Sequence, residues 1–187
     1  MDRKLAVFFP GAGYHNDKPL MYYSKKTAQK HGFELIELTF ELSGAASSVK
    51  KDRQKLKEAL GTAYSQAEEG LGKTDLASFD RVVFVGKSIG TAVMARYCEE
   101  HGIDADMIIF TPIAETFDHP NMRGEVFCGS ADPMLDKDTC LRLCGESSLH
   151  CTVTDGANHS LETGDVLKDI ENLGMVISAA DRIFSRA

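Results

Sequence analysis

Clustered positive charge is the first thing this sequence lacks. Lysine and arginine number 21 against 28 aspartates and glutamates, a formal charge of −7 over 187 residues. A nucleic-acid backbone is held by grouped Lys and Arg, so broad nucleic-acid binding is excluded. The one basic run, Lys50-Lys51-Asp52-Arg53-Gln54-Lys55-Leu56-Lys57, is interrupted by an acid and reads as a solvated helix face. Paired cysteines are lacking as well. Five occur, Cys98, Cys128, Cys140, Cys144 and Cys151, with no C-x-x-C spacing. That argues against a disulfide framework and a zinc cage, so buried thiols, no metal and no cofactor are expected. Long hydrophobic runs are missing too. Leu5 to Phe9 is too short to span a bilayer and lacks a small-residue cleavage site like that of a signal peptide, which excludes a membrane role and makes a cytoplasmic setting the expectation.

What is present is a chain with 43% apolar and 26% charged residues, enough to build one core, so residues 1–187 are expected to form a single domain. Leu5 to Phe9 is a continuous apolar run stopped by Pro10-Gly11, the pattern of a parallel strand buried on both faces. Phe33 to Phe40, Arg81 to Val85, Met107 to Phe110, Glu125 to Cys128 and Leu149 to Thr154 supply five more candidate strands. Between them, helices are expected from a cap at Asn16 or Asp17 to His31, from Val49 to Gly70, from Ile89 to His101, from Leu135 to Cys144 and from Asp165 to Phe184. Leu56, Ala59, Leu60, Ala63, Tyr64 and Ala67 mark one helical face in the second of these. Strand and helix alternate throughout, without a repeat or low-complexity tract. The expected architecture is a three-layer α/β/α sandwich around a mainly parallel sheet of about six strands.

Ligands meet such sheets at the carboxyl ends of the strands. After the third strand stands Gly86-Lys87-Ser88-Ile89-Gly90, a G-x-S-x-G pattern whose small flanking residues allow a sharp strand-to-helix turn. The competing reading is a glycine turn whose serine only caps the next helix. A serine nucleophile needs an imidazole to take its proton and a carboxylate to orient that imidazole. Asp132 follows the fifth strand and His159 the sixth, with Asp136, Asp138 and Asp155 as lesser candidates for the acid. His31 and His101 sit near helix ends and His150 in a strand, so these three, with His15 and His119, read as structural or exposed. For the oxyanion, the backbone N–H groups of Ile89 and of Ala12 are chosen, with Gly11 as the neighbouring alternative. The Pro10–Tyr14 loop lacks the G-K-[ST] ending of a phosphate loop. Gly11, Tyr14 and Pro112 are placed at the substrate, Tyr14 having the alternative of packing on a neighbouring helix. Pro112, Ile113, Phe117 and His119 are candidates for the rim, and the role of Lys87 is open, simple exposure to solvent being one reading.

With these motifs in hand, the chain resembles the α/β-hydrolase superfamily from end to end and is similar to its small, lidless, dienelactone-hydrolase-like and esterase-like members. The resemblance implies that residues 86–90 are the nucleophile elbow, that Gly129-x-x-Asp132 carries the acid and that His159 completes the triad. Its usual opening hairpin is missing, and Pro10-Gly11 replaces the His-Gly common in its oxyanion loop. Dienelactone hydrolases use cysteine where this chain has Ser88, so that activity is not implied. The connection from Thr111 to Gly124 is too short for a cap domain. The expectation is hydrolysis of a small acyl ester or thioester through an acyl-enzyme on Ser88. An acyltransferase with the same triad and a non-catalytic binding module are the alternatives, and oligomeric state is open.

Overall fold

A computed structural model describes residues 2–42 and 52–186. Its sheet has six strands, β1 (Lys4–Phe9), β2 (Glu34–Glu37), β3 (Arg81–Lys87), β4 (Asp106–Phe110), β5 (Gly124–Gly129) and β6 (His150–Thr154). All pairs are parallel and the spatial order is β2-β1-β3-β4-β5-β6. The helices are α1 (Pro19–Lys30), α2 (Arg53–Leu71), α3 (Ile89–His101), α4 (Lys137–Glu146) and α5 (Val166–Phe184). The expected α/β sandwich with about six strands is what the chain forms. The expected start of α2 at Val49, with Lys50 and Lys51 of the basic run, lies outside the described residues.

Alternation along the strands divides the core in two. Leu5, Val7 and Phe9 of β1, with Val82 and Phe84 of β3, face α2, α3 and α4. Ala6 and Phe8, with Val83 and Val85, face α1 and α5. Neighbouring side chains of a strand point to opposite faces, so an unbroken apolar run is what a sheet covered on both sides requires. The chain runs outward from β1 to β2 and then returns to lay β3 on the other side of β1. This reversal puts a crevice at the carboxyl ends of β1 and β3.

Two local expectations are corrected. β2 is shorter than residues 33–40, because Leu38 leaves the ladder after donating its N–H to Phe8, and its carbonyl is taken by the Asn16 side chain. Asn16 is thereby diverted from capping α1. Lys18 occupies the cap position without a side-chain bond, Pro19 opens the helix, and the Tyr14 hydroxyl accepts the Leu20 N–H instead. Asp52, Asp136 and Asp165 cap α2, α4 and α5 through their carboxylates. Among the described residues no helix is long and apolar enough to cross a membrane.

The base of the sheet is closed by charge. Asp106, buried at the start of β4, accepts from Arg81 at 3.2 Å and Arg123 at 2.7 Å, while Arg81 also donates to the carbonyls of Ile183 and Phe184 in the last turn of α5 and of Arg186 just beyond it. Removing one partner of a buried pair leaves the other charge uncompensated. Asp106→Ala is therefore expected to lose about 3–5 kcal/mol in urea unfolding. Arg123→Ala, at a side chain 57% exposed, should lose about 1 kcal/mol or less. Equal losses would show that the pair with Arg81 does not carry the effect.

Candidate active site

Ser88 stands between β3 and α3 with φ 55° and ψ −122°, a strained backbone for a non-glycine residue. Such strain points a side chain out of the turn, and small neighbours make the turn sterically open. A Cβ on Gly86 would come 2.6 Å from the Met94 sulfur, and one on Gly90 would come 2.1 Å from the Phe9 carbonyl oxygen. The serine is the cap residue of α3 by position, yet its side chain makes no capping bond. The reading of Ser88 as a mere helix cap is thereby removed. Its hydroxyl instead lies 2.7 Å from His159 Nε2.

The other imidazole nitrogen, Nδ1, lies 2.7 Å from Asp132 Oδ2, and Asp132 Oδ1 accepts the Met134 N–H at 2.8 Å. Asp132 and His159 are both buried. The loops bearing them are tied together, since Ala131 N–H donates to the Ala157 carbonyl at 2.9 Å. The Asn158 side chain accepts from the backbone of Ser160, so the histidine loop is braced from within. The lesser candidates for the acid are engaged elsewhere or exposed: Asp155 accepts from Ser130, Asp136 caps α4, and Asp138 points to solvent. The structure brings Ser88, His159 and Asp132 into one hydrogen-bonded line.

Beside Ser88 is a cavity of about 210 Å³ lined by Ala12, Gly13, Tyr14, Leu56, Lys87, Ser88, Ile89, Ile113, Met134, His159 and Ser160. Gly11 N–H donates to the Tyr14 carbonyl at 3.0 Å and Tyr14 N–H returns the bond at 3.2 Å, closing a tight turn with Gly13 at φ 74°. This occupies the Gly11 amide and leaves Ala12 on the cavity wall with Ile89. Gly11 and Pro112 do not line the cavity; Ile113 does. Tyr14 lines the cavity while its hydroxyl accepts from the first turn of α1, and burial pushes its pKa up to about 12. Lys87 corrects its reading as an exposed neighbour: it is 1% exposed, with its ammonium 4.9 Å from the centre of the Tyr14 ring. An apolar four-carbon stem lets a lysine lie inward from a strand end.

His119 turns away from the rim to pair with Glu99 at 2.6 Å, and Phe117 packs on the core. His31 pairs with Asp181, holding that carboxyl below its usual range, and His101 pairs with Glu68 with the same effect. Leu56, Met134 and Ser160 were missed from the sequence. The only available signal was that Met134 and Ser160 stand close to Asp132 and His159 in the sequence, while Leu56 comes from the apolar face of α2.

No protein-family model and no curated protein sequence matches this chain. Solved structures do. An α/β serine hydrolase without lid from Xanthomonas campestris superposes with a TM-score of 0.63 at 15% identity, over 100% of this chain and 85% of that one. An esterase of Pyrococcus furiosus gives 0.63 at 11% identity, over 98% and 84%. Est1E from Butyrivibrio proteoclasticus gives 0.67 at 11% identity, over 97% and 86%. In this chain the connection between β4 and β5 holds one short 3-10 turn, Ala114–Asp118, in place of a cap domain. The chain has the α/β-hydrolase fold, and like the Xanthomonas campestris structure it has no lid.

Proposed function

We propose that the protein is a serine hydrolase that cleaves an ester or thioester of a small acyl substrate through an acyl-enzyme on Ser88. The observation that carries the reading is the continuous line from Ser88 Oγ through the His159 ring to Asp132, two contacts of 2.7 Å each. Ser88 Oγ attacks the carbonyl carbon as its proton passes to His159 Nε2. Asp132 holds the ring in the tautomer protonated at Nδ1, so that Nε2 accepts, and stabilises the imidazolium that forms. The negative charge arising on the carbonyl oxygen is met by the N–H groups of Ala12 and Ile89, the latter at the positive end of α3. Collapse of the adduct breaks the bond to the alcohol or thiol, which leaves with the proton from His159. Water then repeats the sequence on the acyl-enzyme and releases the acid. The route draws on no cofactor.

The decisive experiment is intact-mass analysis after exposure to a fluorophosphonate. One adduct is expected on Ser88, absent from Ser88→Ala and strongly slowed in His159→Ala. Folded protein that takes no adduct sinks the reading.

An apolar acyl part is favoured by a second recess of about 370 Å³, which shares Tyr14 and Ser160 with the first and is walled by Leu161, Ile170, Leu173 and Val176. Ile170 is 61% exposed, so a charge there can be carried by the fold. Ile170→Glu is expected to raise KM for a hexanoate ester about tenfold while leaving an acetate ester unchanged. A parallel change for both esters would remove the recess from the substrate path.

A further inference from the structure

Four of the five cysteines meet in one place. Cys128 comes from β5, Cys151 from the neighbouring edge strand β6, and Cys140 and Cys144 from successive turns of α4. The Cys128 and Cys151 sulfurs are 3.6 Å apart, and those of Cys128, Cys140 and Cys151 all lie within 4.8 Å of one another. Cys144 is buried one turn along α4 from Cys140, with its sulfur outside that mutual 4.8 Å group. We propose that Cys128, Cys140 and Cys151 form a structural thiolate site for Zn²⁺, which Cys144, one turn along α4 from Cys140, completes as fourth ligand by a side-chain rotation.

The spacing suits a metal better than the two other uses of thiols. Zinc–sulfur bonds of about 2.3 Å put two ligands of a tetrahedral centre about 3.8 Å apart, close to the distance between Cys128 and Cys151. A disulfide fits less well. Cys151 is in register with Val126 and Cys128 with Val153, so the two cysteines are diagonal neighbours. Diagonal positions on adjacent strands stand about 7–8 Å apart, beyond the reach of a disulfide without backbone movement. Buried cysteines can also serve as small apolar fillers, as Cys98 does in α3. Filling needs volume alone; it does not call for sulfurs from three elements to converge on a point.

Cysteine spacing gave no sign of this, because the ligands lie on two strands and a helix and meet only through parallel pairing. The expectation of no zinc cage rested on that spacing. Cys151 is only half-buried, which opens a path for the ion at the sheet edge. On binding, each coordinating thiol releases its proton to solvent. The ion would staple α4 to the edge of the sheet and close the base of the loop from Cys128 to Cys140, which carries Asp132.

The test uses the whole chain, reduced and stripped with a chelator, then titrated with Zn²⁺ alone in competition with a chromophoric chelator. One zinc per chain is expected by native mass spectrometry, together with a higher melting temperature, since the folded state alone presents the site. Co²⁺ in its place should show thiolate-to-cobalt charge-transfer absorption. Cys151→Ala, at the accessible edge, should weaken zinc by more than about 100-fold, and Cys98→Ala should leave binding unchanged. Both variants are checked for native circular dichroism. Absence of zinc uptake, or uptake that Cys151→Ala does not weaken, overturns the proposal. Neither result depends on Ser88 chemistry, which the fluorophosphonate reads separately.

Discussion

Ser88→Ala is expected to lower kcat by about 10⁴–10⁶-fold against an activated acyl ester while leaving the protein folded. The size follows from what the hydroxyl does in the proposed route. It is the atom that forms the covalent bond, and it lies 2.7 Å from His159 Nε2. Residual turnover would come from the Ala12 and Ile89 donors acting on bound substrate with water. Stability should hold because the side chain makes no capping bond to α3, so its removal leaves no helix donor unsatisfied. His159→Ala should fall about as far, because nucleophile and base act as one unit and their losses do not add. Asp132→Asn should cost about 10⁴-fold, since an amide at that position favours the wrong imidazole tautomer. Parallel measurements of kcat, KM and melting temperature decide the matter. Activity retained by Ser88→Ala on folded protein would end the acyl-enzyme reading.

The parts of this fold that could be seen in the sequence are those where one physical demand dominates. A strand covered on both faces must be apolar at every position, and Leu5–Phe9 and Val82–Val85 are. A strained strand-to-helix turn needs glycine on both sides of its serine, and residues 86–90 supply it. Where several demands compete, local sequence is silent. Asp132 and Asp155 both follow strands and both sit in turns; the choice rests on which carboxylate faces His159, and Asp155 is taken by Ser130. Lys87 looked exposed because charge favours water, yet its stem is apolar and the Tyr14 ring lies against its ammonium. Asn16 looked like a helix cap until the Leu38 carbonyl, 22 residues away, took its side chain. The thiol cluster is the extreme case, since nothing short of the register between β5 and β6 brings Cys128 and Cys151 together.

Gly90→Ala tests whether close approach of backbone to backbone holds the site in shape. The added Cβ would stand 2.1 Å from the Phe9 oxygen and 2.5 Å from that of Pro10, and every nearest atom is main chain. Neither side can give way cheaply. β1 is paired on both edges, by β2 and β3, and α3 is packed into the larger core beneath. Relief therefore has to come at the Pro10–Tyr14 turn, the segment that places Ala12 opposite Ile89. A loss of about 3 kcal/mol or more is expected in urea unfolding, in the range of severe overpacking. Whatever folds should also show a lower kcat, because the two donors proposed for the oxyanion, Ala12 and Ile89, no longer converge. Gly174→Ala supplies the contrast. It lies within α5 with nothing inside 4 Å of the new Cβ, so it should stabilise by about 0.5–1 kcal/mol without touching activity. If Gly90→Ala were as benign as Gly174→Ala, the approach of α3 to the end of β1 would have slack. The alignment of Ala12 with Ile89 would then owe nothing to that contact.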